Sequence, residues 1–207
     1  MSTGSIVALS GVVALLAGLA LYERGRSGSR EIGLVAVLIA AASAGRVLFA
    51  AVPGAQPVTA IAIIAGVALG PRAGIAVGAG SALVSNAFLG QGPWTPWQML
   101  LWGLAGLAGG LLAPALRRSR PALVAVGVAI SLVFGALMDV WQLAAFGPAL
   151  TLTAFAAVHV RAIPFDLAHA IATAAILGLA GPALIALVDR SAVRVRGRWI
   201  AVPETEP

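Results

Sequence analysis

The 207-residue chain contains no cysteine and no lysine, and only 10% of its residues are charged. Without cysteine there is neither a disulfide nor a thiolate ligand for a metal ion. Without lysine there is neither a phosphate-binding P-loop nor Schiff-base chemistry, so another chain must hydrolyse any ATP that this protein uses. The shortage of charge also excludes an ordinary soluble domain, because 60% of the residues are hydrophobic and the mean hydropathy is +1.02.

The basic residues are 13 in number, all arginine, and they give the chain a formal net charge of +6. Such a charge is also found in nucleic-acid-binding proteins, but here the arginines concentrate in the connections between apolar stretches. That distribution is typical of membrane proteins, whose basic loops stay inside. The sequence therefore predicts an all-α integral membrane protein that contacts the lipid bilayer and not nucleic acid.

Turn residues and arginines divide the chain into seven apolar stretches, each interpreted as a membrane-spanning helix. The first, Gly4 to Tyr22, is interpreted as a retained extra helix rather than a signal peptide, because no basic segment precedes it. We expect residues 1–30 to hold this helix and a basic linker, residues 31–189 a six-helix membrane domain, and residues 190–207 a cytoplasmic tail. The six core spans are expected at Glu31–Val52, Pro57–Gly70, Ala73–Leu89, Trp97–Leu116, Pro121–Phe146 and Pro164–Val188.

The positions of the arginines also predict the orientation. With the linker before residue 31 inside, the turn at Arg72 and the triple-arginine turn at 117–120 are inside too, and only Arg161 falls outside. The second span is short enough for a re-entrant segment, but that would move the triple-arginine turn outside. We therefore expect the N-terminus outside and the C-terminus inside.

The connection from Ser85 to Gln98 is the most distinctive stretch of the chain. It holds two glycines, two prolines and two tryptophans, which together are typical of a turn at the membrane–water boundary. An aromatic belt accounts for the tryptophans. It does not account for Asn86 inside the preceding helix, or for the glutamines beside the tryptophans, whose amides need hydrogen-bond partners near hydrocarbon. A bound ligand would supply such partners.

Polar residues of four core helices fall at one level, in the outer half of the membrane. Ionisable residues inside membrane spans are costly and mark functional sites by default. The inner halves of the same helices are almost wholly apolar, so the pattern predicts a pocket that is open to the outside and closed below by a dry helical plug. The polar residues at this level are Arg46, Ser85, Asn86, Asp139, Gln142, Asp166 and His169.

Several of these side chains also have structural interpretations. Arg46 snorkels to the outer headgroups or pairs with Asp139, and Asp166 caps the first turn of its helix. His169 is a lone histidine, so no metal site is expected, and it is held by Asp166 or donates to a ligand. Asn86 is the strongest candidate for ligand binding, since a mid-span amide has few other partners. Asp139 and Gln142, three residues apart on one helix face, come next.

Three segments together resemble the substrate-binding (S) components of energy-coupling-factor (ECF) vitamin transporters. They are RVLFAAVP at 46–53 followed by QPVT at 56–59, the glycine-rich third span ending at 85–86, and LGQGPWTPWQM at 89–99. The resemblance covers residues 33–189 and implies a six-helix core that binds a vitamin from outside the bacterial plasma membrane, with cobalamin or another corrinoid as the expected substrate. It also implies a non-enzymatic chain without a cofactor, which works with a transmembrane coupling subunit and two cytoplasmic ATPases.

The resemblance further implies roles for particular segments. Ala36, Ala40 and Ala44 match in spacing the family's docking row for the coupling subunit, and the connections Val52–Pro57 and Gly147–Ile163 match its gating loops. Together with the level of polar residues, this gives a pocket that we expect to be lined by Arg46, Asn86, Gln91, Trp94, Trp97, Gln98, Asp139, Gln142 and His169.

Two other classes of function stay open on the sequence. In one, Asp139 and Asp166 form the catalytic pair of an intramembrane enzyme acting on lipid or peptide, although neither stands in the glycine-rich loop that such enzymes use. In the other, the chain is a structural membrane protein whose polar groups pair only with one another.

Overall fold

The computed structural model describes residues 29–147 and 149–196. The extra helix predicted at Gly4–Tyr22 and the end of the predicted tail lie outside the described residues. The chain is all-α over the described ranges, as predicted. Its helices are α1 Ser29–Leu48, α2 Val58–Leu69, α3 Pro71–Leu89, α4 Thr95–Leu111, α5 Ala113–Arg118, α6 Arg120–Phe146, α7 Leu152–Leu179 and α8 Gly181–Arg196.

The surface of the helices suits a lipid environment. Within the described part of the chain, three helices are long and apolar enough to cross a membrane: Glu31–Leu48 of α1, α6 and α7. Large apolar side chains such as Leu111, Ile171 and Leu179 are exposed, whereas ionisable residues of the same bundle are buried. This distribution is the inverse of a soluble protein and is that of a multi-pass membrane protein.

The last core helices differ from the prediction. The prediction of a long connection over Gly147–Ile163 is wrong, because α7 begins at Leu152 and continues through Pro164 to Leu179. The predicted span Pro164–Val188 is therefore the second half of α7 followed by a separate helix, α8. Proline is common at the start of a helix, but inside an apolar membrane helix it is also tolerated, at the loss of one backbone hydrogen bond.

Glycines let α2, α3 and α4 pack backbone against backbone. A Cβ at Gly74 would strike the carbonyl of Gly106, and a Cβ at Gly106 would strike the backbone of Gly74. On α2, a Cβ at Gly66 would meet the backbone of Gly106 and Gly110. Without a Cβ at these positions, the backbones of the three helices approach as closely as small residues allow in membrane helices.

The helices α6 and α7 form a second packed unit. A buried hydrogen bond of 2.9 Å runs from Ser131 Oγ to Thr173 Oγ1 between them. At the other end of the bundle from the tryptophan turn, a wholly apolar cluster joins α2, α5, α6, α7 and α8, as expected of a dry plug. Its members are Ala60, Ile63, Ile64, Val67, Leu116, Leu123, Leu177, Ile185 and Val188.

An ion pair between Arg117 and Asp189 holds α8 at the end of the bundle that contains the apolar cluster. Arg117 Nη1 and Nη2 donate to the two carboxylate oxygens of Asp189, at 2.6 and 2.9 Å, and Nη2 also donates to Val67 O at 2.8 Å. The hydrogen bond from Arg117 lowers the pKa of Asp189 below its usual value. This pair lies at the edge of the bundle and takes no part in the polar level near the tryptophan turn.

Candidate functional site

Arg46, near the end of α1, is the centre of the outer polar network. Its Nε donates to Gln56 Oε1 at 3.0 Å, and its Nη1 donates to Ser85 Oγ and Asn86 Oδ1, both at 2.6 Å. Its Nη2 makes no hydrogen bond to any residue in the described ranges. The predicted ion pair between Arg46 and Asp139 is wrong, because the guanidinium contacts uncharged partners instead. The prediction that Arg46 extends to the outer headgroups is also wrong, because its side chain is buried.

Asn86 is 1% exposed, and both its amide nitrogen and its amide oxygen are hydrogen-bonded. Oδ1 accepts from Arg46, while Nδ2 donates to Thr95 Oγ1 at 2.9 Å and to Gln98 Oε1 at 2.8 Å. The amide therefore ties the end of α3 to α1 and to the start of α4. A ligand would reach this network through Arg46 and the half-buried side chain of Gln98 rather than through Asn86 itself.

Gln91 braces the turn that follows α3. Its Oε1 accepts from Thr95 Oγ1 at 2.8 Å and its Nε2 donates to Leu83 O at 3.0 Å. Because Thr95 also accepts from Asn86, one hydroxyl connects the exposed turn to the buried network. The residue is exposed, so its position allows contact with a ligand only at the rim.

The two tryptophans of the turn connect it to α6. Trp97 Nε1 donates to Leu137 O at 3.1 Å. The ring of Trp94 lies edge-on to Trp141, with 6.5 Å between ring centroids, and Trp141 is edge-on to Phe146 at 5.6 Å. Both turn tryptophans are half-buried, so each shows part of a ring at the rim.

His169 lies in α7 and is fully buried beneath the outer network. Its Nε2 is 2.8 Å from Thr59 Oγ1. The same hydroxyl accepts a hydrogen bond from Trp102 Nε1 at 2.9 Å. The guanidinium of Arg46 lies 4.8 Å from the centroid of the same indole, a favourable cation–π contact. The predicted contact of His169 with Asp166 is absent, and His169 Nδ1 has no partner among the described residues.

Three ionisable residues meet where α6 and α7 lie side by side, and we call them the α6–α7 triad: Asp139, His159 and Asp166. Asp139 Oδ2 is 2.7 Å from His159 Nδ1, and Asp166 Oδ2 is 3.8 Å from the same nitrogen. Asp166 is in the middle of α7, so its predicted role as a helix cap is wrong. The aspartates do meet, as the enzyme interpretation required, but with a histidine between them.

The cavity beside the triad has a volume of about 340 Å³. His159 and Asp166 supply its polar lining, and the rest is apolar. A smaller cavity of about 210 Å³ lies between α4 and α6 and is lined only by apolar side chains and the ring of Phe134. Of these two cavities, only the first is therefore equipped to bind a polar group.

The predicted site residues thus fall into two polar groups rather than one. Gln142 belongs to neither, since its side chain is exposed while Asp139 on the same helix is buried. Sequence reasoning missed His159, because taking Pro164 as a helix start placed it in a loop. Continuing the helix through that proline would have put His159 and Asp166 seven residues apart, on one face. It also missed Gln56, Thr59, Thr95 and Trp102.

The connection between α1 and α2 closes over α7. Gly54 in this connection has φ of 79° and is buried, and a Cβ there would strike Phe165 O and come within 2.9 Å of Ala168 Cβ. On the other side of α1, the small residues Ala36, Ala40 and Ala44 are all exposed. They form an open row of small side chains.

Residues 26–187 match the family model described as ECF-type riboflavin transporter, S component. No curated protein and no solved structure matches the chain. The matched model agrees with the S-component resemblance of the sequence, but it is of the riboflavin type. The expectation of a cobalamin-type subfamily is corrected accordingly.

Proposed function

The chain belongs to the ECF-type riboflavin transporter S component family, and on that premise we propose that it binds riboflavin, or a closely related flavin, from outside the cell. The family consists of transporter components and not of enzymes. We further propose that the chain lies in the bacterial plasma membrane and passes its ligand to a coupling subunit and two ATPases. The single observation that carries the proposal is the family match, which spans most of the chain.

The chemistry of the outer network suits a flavin. The edge of a flavin ring carries carbonyl oxygens and an imide N–H, and the network offers one donor nitrogen of Arg46 together with the half-buried amides of Gln56 and Gln98. The flat apolar ring would lie against Trp94 or Trp97, whose faces stack on aromatic rings. Asn86 would act indirectly, by holding Arg46 and Gln98 in place.

A fluorescence titration tests the proposal. Riboflavin fluorescence is quenched when the ring stacks on tryptophan, so purified chain freed of endogenous ligand should quench it saturably with one site per chain. Gln98→Ala should weaken binding roughly threefold to tenfold, the loss of about one net hydrogen bond. The matched control is Gln142→Ala, which removes an exposed amide outside both polar groups and should leave affinity unchanged.

Competition separates the two vitamins. A tenfold excess of cobalamin should leave the bound riboflavin in place. Displacement by cobalamin, or the absence of saturable quenching in a folded protein, would overturn the flavin assignment.

A further inference from the structure

The α6–α7 triad contains a buried carboxylate oxygen that has no hydrogen-bond partner among the described residues. Asp139 and Asp166 are 5% and 4% exposed, so both carboxylates are removed from water. His159 Nδ1 carries at most one hydrogen, and at 2.7 Å that hydrogen is directed to Asp139. Asp166 Oδ2 has no hydrogen-bond partner in the part of the chain that the structure describes. A buried carboxylate is costly unless it is paired or coordinates a metal.

The geometry of the triad is close to that of a metal site. One ligand atom from each residue lies within 4.8 Å of the others, and two of the separations are 2.7 and 3.8 Å. Zinc binds imidazole nitrogen and carboxylate oxygen at about 2.0–2.2 Å, which places tetrahedral ligand atoms about 3.3 Å apart. Shifts of about 1 Å in the side chains convert the triad to these separations.

The backbone of both helices supports the arrangement. His159 and Asp166 are seven residues apart on α7 and so share a face, and Pro164 between them removes a backbone hydrogen bond at that turn. Opposite them on α6, Asp139 follows Gly135 by one turn, and the carboxylate of Asp166 occupies the space that a side chain at Gly135 would fill. The glycine thus makes room for a carboxylate directed towards the triad.

We propose that Asp139, His159 and Asp166 bind one divalent transition-metal ion, of which Zn²⁺ is the type. The imidazole ligand favours a first-row transition metal over Mg²⁺ or Ca²⁺, which prefer oxygen ligands alone. The 340 Å³ cavity lined by His159 and Asp166 leaves the remaining coordination positions open to water or another small ligand. The ion clamps α6 to α7, independently of whether the chain binds a flavin.

Metal binding is measured on the full chain, purified in detergent without a histidine tag and stripped with a chelator. Calorimetric titration with Zn²⁺ and elemental analysis should give one ion per chain, and Co²⁺ should show the visible absorption of a site with nitrogen and oxygen ligands. His159→Gln and Asp166→Asn should each weaken Zn²⁺ binding at least about tenfold, since even outer-shell partners contribute 10- to 100-fold. The matched control, Asp189→Asn, removes a carboxylate at the apolar end of the bundle and should leave Zn²⁺ binding unchanged.

Thermal unfolding separates a metal ligand from a structural carboxylate. Zn²⁺ should raise the midpoint of the wild type and not that of Asp166→Asn. Without metal, Asp166→Asn should unfold no earlier than the wild type, because it replaces a buried carboxylate whose Oδ2 has no hydrogen-bond partner among the described residues. A wild type that binds no stoichiometric Zn²⁺ or Co²⁺, or variants that bind as it does, would overturn the proposal.

Discussion

Arg46 joins three helices through a single guanidinium. It donates to side chains before α2 and at the end of α3, and it covers the indole of Trp102 on α4. A planar guanidinium presents several donors in a rigid fork, which a lysine ammonium at the same position does not reproduce. The charge is thus accommodated within the bundle by directed hydrogen bonds and an aromatic face.

Substituting Arg46→Lys should therefore destabilise the bundle, although the charge is kept. Hydrogen bonds to charged groups contribute about 1.5–3 kcal/mol each, so the loss of one or two should cost roughly 2 kcal/mol or more of unfolding free energy. Thermal unfolding in detergent measures the effect. The control is Arg118→Lys at an exposed position, and an equal, small shift in both variants would contradict the role given to Arg46.

At the residue scale, the sequence placed Arg46, Asn86 and Gln98 at one level, and the structure joins them through the amide of Asn86. That they bind a ligand stays a prediction. The contact of Asp139 with His159 was not foreseen, because it depends on how α7 lies against α6. A single sequence gives the depth of a side chain in the membrane, but it does not give the neighbour that it faces.

At the level of helices, close packing of α2, α3 and α4 depends on glycine. Gly106→Ala should push α4 away from α3, because the new Cβ would strike backbone atoms of Gly74, which cannot move aside as a flexible side chain can. Overpacking of this kind costs about 1–3 kcal/mol, measurable as a lower thermal midpoint. Gly33→Ala is the control, because a Cβ there meets nothing within 4 Å and alanine favours the helix. Equal midpoints for Gly106→Ala and the wild type would show that the helices are not in tight contact.

The boundaries of the helices were predicted less well than their existence. The position of α3 followed from the turn residues at both of its ends, since the span expected at Ala73–Leu89 lies within Pro71–Leu89. The continuous α7 did not, because local sequence around Pro164 resembles a helix start, and only the packing of α7 along α6 favours a helix on both sides of it. Tertiary contacts decide such cases and are absent from a local pattern.

For the whole molecule, the exposed row Ala36, Ala40 and Ala44 offers a surface for another helix, since small residues let helix backbones approach closely in lipid. Ala40→Trp should reduce co-isolation of the coupling subunit by about tenfold or more, because an indole holds the helices apart. Riboflavin affinity should stay unchanged, as the row lies outside both polar groups. Ile171→Trp, at an exposed apolar position of α7, is the control. Loss of co-isolation in both variants, or in neither, would contradict this use of the row.

The transport of riboflavin tests the central claim most directly. The chain is reconstituted in liposomes with the coupling subunit and the two ATPases of its own organism, and labelled riboflavin and cobalamin are supplied at the outer face. The account predicts accumulation of riboflavin that requires ATP and this chain, with no accumulation of cobalamin. Uptake of cobalamin instead, or riboflavin uptake that is the same without this chain, would contradict it.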